Sequence, residues 1–440
     1  MTWYHVLKQQ LELFMKRITI DKFITLKDVD IKINNLTVFI GPQASGKSLL
    51  AKLAFFFENI VKEKLLESIR DNEAKKEVDK KIINAFKDLF SDEVWGYESF
   101  NITYYFSPDF NITLQKETER SSIKILISPE VKSFLSRSKR RFLSFSENSN
   151  LPKIKLFHEF NFEVLPTIEH GPLLHSFSSY IPASRAFFSI LSESSFSNLI
   201  SMNALDVMMK EFGYVYSFVK EVAYGNKISN SIIEELNKSK KENEIKFSNI
   251  DSLIKKILKG IHKPIDGNDY LETDNGLISI TNTSSGQQES LPLLLTLRAM
   301  TYYWRKYPQF YYVEEPEAHL FPEAQYDIVK IISLLSSCAE GSQSFVITTH
   351  SPYVLSAINN LIYIGKVRNS KEGSSKLKNN GIDPNLSVNF KNVMAYSVND
   401  GKVESILNHD EEMIDASAID SVSSTINDEF ETLLDLIYGE

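Results

Sequence analysis

One cysteine, Cys338, stands in the whole chain, and that scarcity excludes disulfide frameworks and cysteine-rich zinc sites. A reducing compartment suits such a chain. Cys338 follows an apolar helical run, which reads as a buried structural thiol rather than a reactive one. Long hydrophobic runs are missing too: no stretch approaches the ~18 consecutive apolar residues of a membrane span. The first residues, MTWYHVLKQQLELFMKR, hold no uninterrupted apolar core and no small-residue cleavage site. No secretory signal is read there, and a cytoplasmic protein with no membrane attachment is expected. Positive charge is also in deficit. A formal net charge of −8 argues against a generic polyanion binder, because nonspecific nucleic-acid affinity rests on cations that neutralise phosphates. The densest basic run, "SRSKRR" from Ser136 to Arg141, reads as a solvated loop. From Asp410 onward there is no Lys or Arg, which reads as a solvated acidic face or a docking tail.

What is present is an ordinary globular mixture, with 42% apolar residues over 440 positions. That length allows two or three domains, or one domain with large insertions. The aromatic supply, 29 Phe and 19 Tyr, is enough for a sizeable core.

Thr19 to Ile40 alternates apolar and polar residues in places and ends in a nearly continuous apolar run. It reads as two strands around Ile33, Asn34 and Asn35, the last strand buried. A helix is expected from Lys47, with Leu49, Leu50, Leu53, Ala54 and Phe57 on one face. Residues 70–165 mix a charged helical segment with short strands such as "FNITYYF" and "SIKILIS". Residues 186–263 read as mostly helical, with a helix pair near 231–260 that lacks the heptads of a long coiled coil. A hairpin is expected over 268–281, turning at Asp274, Asn275 and Gly276. A helix from Leu291 to Met300 follows, then the strand "QFYYV". Pro322 opens a helix with Ile328, Ile331, Ile332 and Leu335 on one face, and "SFVITTH" is a buried strand. Beyond Ile364 the chain turns polar before a further strand and helix.

Four short motifs carry chemistry. "GPQASGKS", Gly41 to Ser48, lies between an apolar strand and an amphipathic helix, the context that makes G-x-x-x-x-G-K-S a phosphate cradle. Gly41, Pro42, Gln43, Ala44, Ser45, Gly46, Lys47, Ser48 and Leu49 are the candidate nucleotide-binding residues, and all of them but Pro42 carry main-chain N–H groups, set where the helix dipole favours negative charge. Lys47 is the cation for the β- and γ-phosphates, and the Ser48 hydroxyl is a ligand for Mg²⁺. "FYYVEEPEAHLF" is an apolar strand delivering an acidic pair. There Glu314 assists the metal and Glu315 accepts a proton from the attacking water. "TSSGQQES" is a small Ser/Gly turn before a helix, a second helix-entry anion site at Ser284. "FVITTHSPYVL" delivers His350 at a strand C-terminus, where ligands sit in open α/β sheets, within reach of a γ-phosphate.

The order of these motifs resembles the ABC-type ATPase heads of the SMC, RecF and OLD-like families. "TSSGQ" resembles the ABC signature LSGGQ, although Thr283 and Ser285 depart from it. "EEPEAHLFP" resembles the Walker B and D-loop of OLD-like ATPases, and "TTHSP" their H-switch. "YIPASR", Tyr180 to Arg185, resembles a segment these heads carry on a central strand, which makes Arg185 a further candidate.

The resemblance implies an α/β P-loop NTPase fold, an ABC-ATPase-like head with a mixed central sheet and an inserted, largely helical lobe. It divides the chain into a core at 1–60 and 268–365, with 176–190 as a core strand. An α+β insertion would occupy 61–175 and a helical insertion 190–267. The segment 366–440 would close the core and end in the acidic tail. The resemblance further implies ATP and Mg²⁺ clamped between two copies: Lys47 and Ser48 from one chain, and Ser284, Ser285, Gly286 and Gln287 from its mate. Turnover would be slow, with nucleotide state acting as a switch.

OLD proteins append a TOPRIM nuclease that needs an Asp-x-Asp pair, and none follows His350, so no nuclease is expected here. The layout is closest to ATPase subunits of bacterial antiphage systems such as PARIS and Septu. The first expectation is therefore a homo-oligomeric sensor and scaffold that controls a separately encoded effector, a nuclease, on a nucleic-acid or phage-protein trigger. A RecF- or SMC-like repair or recombination ATPase that binds DNA directly is the alternative. A module that binds ATP without hydrolysing it is a third, opposed by Glu315.

Overall fold

The computed structural model describes residues 15–91, 93, 95, 97, 99–147, 151–191, 199, 205–224, 240–265, 267–303, 307–338, 343–415, 429 and 432. The Cys338 side chain, the first part of the expected helix pair and nearly all of the acidic stretch beyond Asp415 lie outside them.

The opening stretch forms three strands where two were expected: β1 (Lys16–Phe23), β2 (Leu26–Ile33) and β3 (Leu36–Ile40). β1 and β2 pair as a hairpin, Phe23 opposite Leu26. The turn between them contains no Gly, Pro, Asn or Asp, so it carries no turn signal in sequence. Lys22 and Ile24 hold positive φ of 57° and 56°, a conformation that costs a non-glycine residue energy. Tertiary contacts impose it. The Ile24 N–H donates to the Trp95 carbonyl at 2.9 Å and the Lys27 N–H to that of Gly401 at 3.1 Å. A Cβ on Gly401 would stand 1.9 Å from the Thr25 carbonyl oxygen.

After β3 a continuous helical path begins as α1 (Lys47–Phe55), widens into a π turn at Phe56–Val61, and resumes as α2 (Lys62–Asp71). Phe56 and Phe57 are both fully buried in that turn. Next come α3 (Lys75–Leu89), β4 (Phe100–Tyr105), β5 (Asn111–Lys116), β6 (Lys124–Ile127) and α4 (Pro129–Ser146). The basic run expected as a loop lies within α4. Ser128 caps this helix, its hydroxyl accepting from the Val131 N–H, with Pro129 in the first turn. Val131, Phe134, Ser138 and Phe142 form the buried stripe, so the Lys and Arg residues are the solvent side of an amphipathic helix.

The chain continues through β7 (Phe177–Ile181), α5 (Ala186–Ile190), α6 (Val207–Tyr224) and α7 (Lys240–Leu258). β8 (Ile261–Ile265), β9 (Asn268–Thr273) and β10 (Gly276–Ser279) form a small separate sheet. The hairpin is where the turn residues place it, and β8 replaces the end of the expected helical stretch. α8 (Ser285–Tyr303), β11 (Gln309–Glu314), α9 (Pro322–Cys338), β12 (Gln343–Thr349), α10 (Pro352–Arg368), β13 (Val393–Asn399) and β14 (Lys402–Ser405) complete the core.

Eleven strands join in one mixed sheet, ordered β6-β5-β4-β1-β2-β14-β13-β3-β12-β11-β7. β13, β3, β12, β11 and β7 run parallel, while the β1, β2, β4, β5 and β6 half is antiparallel. The segment "YIPASR", expected on a central strand, begins on the last two residues of β7, which is the outermost strand of the parallel half. One face of the sheet packs an aromatic cluster that includes Phe23, Phe56, Phe86 and Phe100. The other packs the aliphatic faces of α8, α9 and α10. The expected Ile328, Ile331, Ile332 and Leu335 stripe is buried there. This mixed α/β architecture puts the C-terminal ends of β3, β12 and β11 side by side, at the edge where the motif residues emerge. No helix among the described residues is long and apolar enough to cross a membrane.

Candidate functional site

β3 ends at Ile40 and α1 begins at Lys47, so the loop between them is the strand-to-helix turn its sequence predicts. Gly46 caps α1 at φ 110°, open to glycine and strained for other residues. Gly41 is required for a different reason: a Cβ there would meet the Val398 carbonyl oxygen at 2.0 Å. The loop packs directly on β13, a strand more than 350 residues away in sequence that no local pattern points to. Lys47 is buried, with Nζ donating to the carbonyls of Gly41 at 2.9 Å and Pro42 at 2.6 Å. Burial lowers its pKa, opposed by the charges of Glu315 and Glu317. The buried Ser45 hydroxyl has no protein partner. An unpartnered hydroxyl, a buried ammonium folded onto its own loop and a left-handed glycine at the helix entry suit a phosphate group.

β11 and β12 bring the other side chains to this edge. Glu315 follows β11 at φ 42°, its N–H donating to the Thr348 carbonyl at 2.8 Å. His350 follows β12 and meets both partners. Nε2 lies 2.8 Å from Glu315 Oε1 and Nδ1 lies 3.4 Å from Lys47 Nζ. A lysine ammonium cannot accept, so Nδ1 is the accepting nitrogen and Nε2–H donates to the carboxylate. Lys47, His350 and Glu315 therefore form one chain across three loops, with Glu315 and His350 each about a third exposed.

Glu317 was not assigned a role from the sequence, yet it positions this chain. Its buried carboxylate accepts from Thr349 Oγ1 at 2.5 Å and from the His350 N–H at 3.0 Å. Burial pushes its pKa up, and those hydrogen bonds oppose the rise. The third Glu of "EEPE" was the only available signal. Ser351 then caps α10, accepting from the Tyr353 N–H, with Pro352 at the first helical position.

Glu314 is buried, and its Oε2 accepts from the Ala183 N–H at 3.1 Å. Arg185, two residues on, is fully buried. Its guanidinium donates to the carbonyls of Pro182 at 2.9 Å, Glu289 at 3.2 Å, Glu314 at 2.5 Å and Glu315 at 3.0 Å, and its own N–H donates to Glu289 Oε2 at 2.9 Å. Burial lowers its pKa, and the Glu289, Glu317, Glu314 and Glu315 carboxylates oppose that. Arg185 thus acts on the end of β11 through the main chain and ties it to the first turns of α8. Glu289 is a second residue that sequence reasoning passed over.

α8 starts at Ser285, six residues before the expected Leu291. The signature-like turn itself supplies the start. Ser284 N and Oγ both lie within hydrogen-bond distance of Gln287 Oε1, at 3.0 and 2.9 Å, and the Gln287 N–H points back at Ser284 Oγ, 3.4 Å away. This S-x-x-Q pair is a capping box. Ser284 and Ser285 remain exposed. Gly286 is buried against the stretch after β11, where a Cβ would meet the His319 carbonyl oxygen at 2.7 Å. Among the described residues no group of three or more His, Cys, Asp and Glu side chains could hold a metal on its own.

A model of a family described as AAA ATPase domain matches residues 14–355. Among solved structures, the SMC head bound to the C-winged helix domain of ScpA is similar at 12% identity and a TM-score of 0.41, over 90% of this chain and 99% of that one. The SMC head domain from Thermotoga maritima aligns at 12% identity and a TM-score of 0.32, over 78% and 92%. The Smc head with an extended coiled coil bound to the C-terminal domain of ScpA, derived from Pyrococcus furiosus, aligns at 13% identity and a TM-score of 0.37, over 95% and 99%. No curated protein matches the chain.

Proposed function

The chain belongs to the AAA ATPase domain family, and from that premise we propose that it hydrolyses ATP at the Lys47–His350–Glu315 edge and uses the nucleotide state as a switch between copies. The observation that carries this reading is the unbroken chain from the Lys47 ammonium through the His350 imidazole to the Glu315 carboxylate. Lys47 is satisfied by the Gly41 and Pro42 carbonyls. A triphosphate would take over that ammonium together with the main-chain N–H groups of residues 43–48, because charge-assisted bonds to phosphate are stronger than those to neutral carbonyls. Mg²⁺, held by Ser48 and by Glu314 directly or through water, would neutralise the developing phosphate charge. Glu315 would take the proton of the attacking water, with His350 orienting the carboxylate and facing the γ-phosphate.

The exposure of Ser284 and Ser285 supports the second half of the reading. A helix entry with two serines at the surface, Ser284 held by Gln287 Oε1 and Ser285 beside it, offers an anion site to a neighbouring copy once the phosphate displaces Gln287. ATP would be satisfied only when both chains supply donors, so its presence would set the free energy of association.

The motif set "GPQASGKS", "TSSGQ", "EEPEAHLFP" and "TTHSP" supports the finer reading, in which the switch is a sensor and scaffold for a separately encoded nuclease in bacterial antiphage defence. Purification with and without ATP from cells expressing the adjacent genes tests it. ATP-dependent capture of a nuclease is expected. Capture of none, together with DNA-stimulated turnover, would instead establish direct DNA action of the RecF or SMC kind. The exposed cationic side of α4 is the surface to which such DNA would bind.

A further inference from the structure

At the opposite pole of the parallel sheet from the phosphate loop, the first residues of β3 and β12 meet α9, α10 and the segment before β13 around a cavity of ≈ 500 Å³. That is the size of a small-molecule site. Its floor is apolar, formed by Ile332, Phe345 and Leu361. Gln343, the first residue of β12, is among its lining residues and is 1% exposed, and both polar atoms of its amide lack a protein partner. A buried amide left without hydrogen bonds costs about 1–3 kcal/mol for each unsatisfied group, and native structures resolve such groups with water or a ligand.

Three cations stand at the mouth: Lys366, Arg368 and Lys391. Lys366 is engaged by the Glu411 carbonyl at 2.6 Å and Glu412 Oε2 at 3.2 Å. Arg368 and Lys391 are exposed and form no ion pair among the described residues. The lining therefore combines apolar side chains, a buried donor–acceptor amide at Gln343 without a protein partner and two exposed cations outside any ion pair among the described residues.

We propose that this cavity is a second ligand site that takes a nucleoside monophosphate. The base would lie on the apolar floor with its hydrogen-bonding edge on the Gln343 amide, the pairing that glutamine makes with adenine. The phosphate would meet Arg368 and Lys391 at the mouth. The site is separate from the phosphate loop. The five residues of β3 put about 16 Å between them at ~3.3 Å per residue. The strands that line the cavity, β3 and β12, are nevertheless those that deliver Lys47 and His350.

The test is calorimetric titration of AMP into the full chain carrying Lys47→Ala, which removes the phosphate-loop lysine from the readout. One AMP per chain is expected to bind below about 1 mM. Gln343→Leu should weaken it at least about tenfold while leaving the unliganded Tm unchanged or higher, because it removes an unsatisfied buried amide. Arg368→Ala with Lys391→Ala, on the exposed mouth, should weaken it comparably and decides the matter if Gln343→Leu does not fold. Absence of binding would overturn the proposal. So would inorganic phosphate binding as tightly as AMP, or affinity indifferent to both sets of substitutions.

Discussion

His350 Nε2 and Glu315 Oε1 stand 2.8 Å apart, joining the ends of two adjacent parallel strands through their side chains. Glu315→Gln keeps an amide oxygen for His350 and removes the proton acceptor. ATP is expected to stay bound while phosphate release falls by about 10²–10⁴-fold, the usual contribution of a general base. Size-exclusion chromatography with ATP should show this variant held as an oligomer. Phosphate release at the parent rate would refute the role of Glu315.

Lys47→Ala should abolish ATP binding measured with a fluorescent analogue, and Ser284→Arg should leave binding intact while blocking turnover. A mixture of the two variant chains should recover part of the activity, since mixed dimers contain one site with both native halves. No recovery at any ratio would show that each site is complete within one chain.

Arg185→Met removes the donor that serves four main-chain carbonyls, one just after β7, two at the end of β11 and one in the first turns of α8. It leaves those acceptors unpaired in a buried place and removes the guanidinium charge 3.8 Å from the Glu289 carboxylate, which keeps only the main-chain N–H of position 185. A stability loss of about 3–5 kcal/mol is expected in urea melts. Arg185→Lys should recover only part of it, because one ammonium cannot reach all four carbonyls. Stability within error of the parent for both variants would remove Arg185 from its positioning role.

Lys62 is buried near Lys16, Glu58 and His175, and donates to the Ser176 carbonyl at 2.5 Å and its hydroxyl at 2.9 Å. Burial lowers its pKa from 10.5 to about 7. Between those values the unfolded chain holds a proton that the folded chain lacks, so stability rises with pH. This contribution is fully present above pH 10.5 and is lost as pH falls through about 7. From pH 7 to 9 the parent should gain about 2 kcal/mol relative to Lys62→Met. Parallel pH profiles for the two proteins would show that Lys62 is not buried as a neutral amine.

The phosphate loop, the acidic strand end and the His350 strand were all legible because each is local. An apolar strand followed at once by Gly, Lys and Ser, or by two Glu, states its own geometry in consecutive residues. So does the aliphatic stripe from Ile328 to Leu335. The β1–β2 turn was not legible, since Lys22 and Ile24 adopt left-handed backbone only under the hold of Trp95 and Gly401. α4 was misread because the cations of "SRSKRR" masked the buried stripe of Val131, Phe134, Ser138 and Phe142. The start of α8 was missed because a Ser/Gly-rich turn looks like a loop until Gln287 is seen closing on Ser284.

Local order of residue types was enough to establish the class of fold, the strand-loop-helix turn from Gly41 to Ser48 and which lysine, glutamate and histidine stand at that edge of the sheet, since a strand-loop-helix passage constrains its backbone within a dozen residues. Long-range packing settled the rest. β13 enters the sheet beside β3 and sets Gly41 against Val398. Glu317 aims His350, and Arg185 welds the end of β11 to α8. Those contacts join residues scores to hundreds of positions apart, and nothing in a linear pattern marks which buried donor will find which carbonyl.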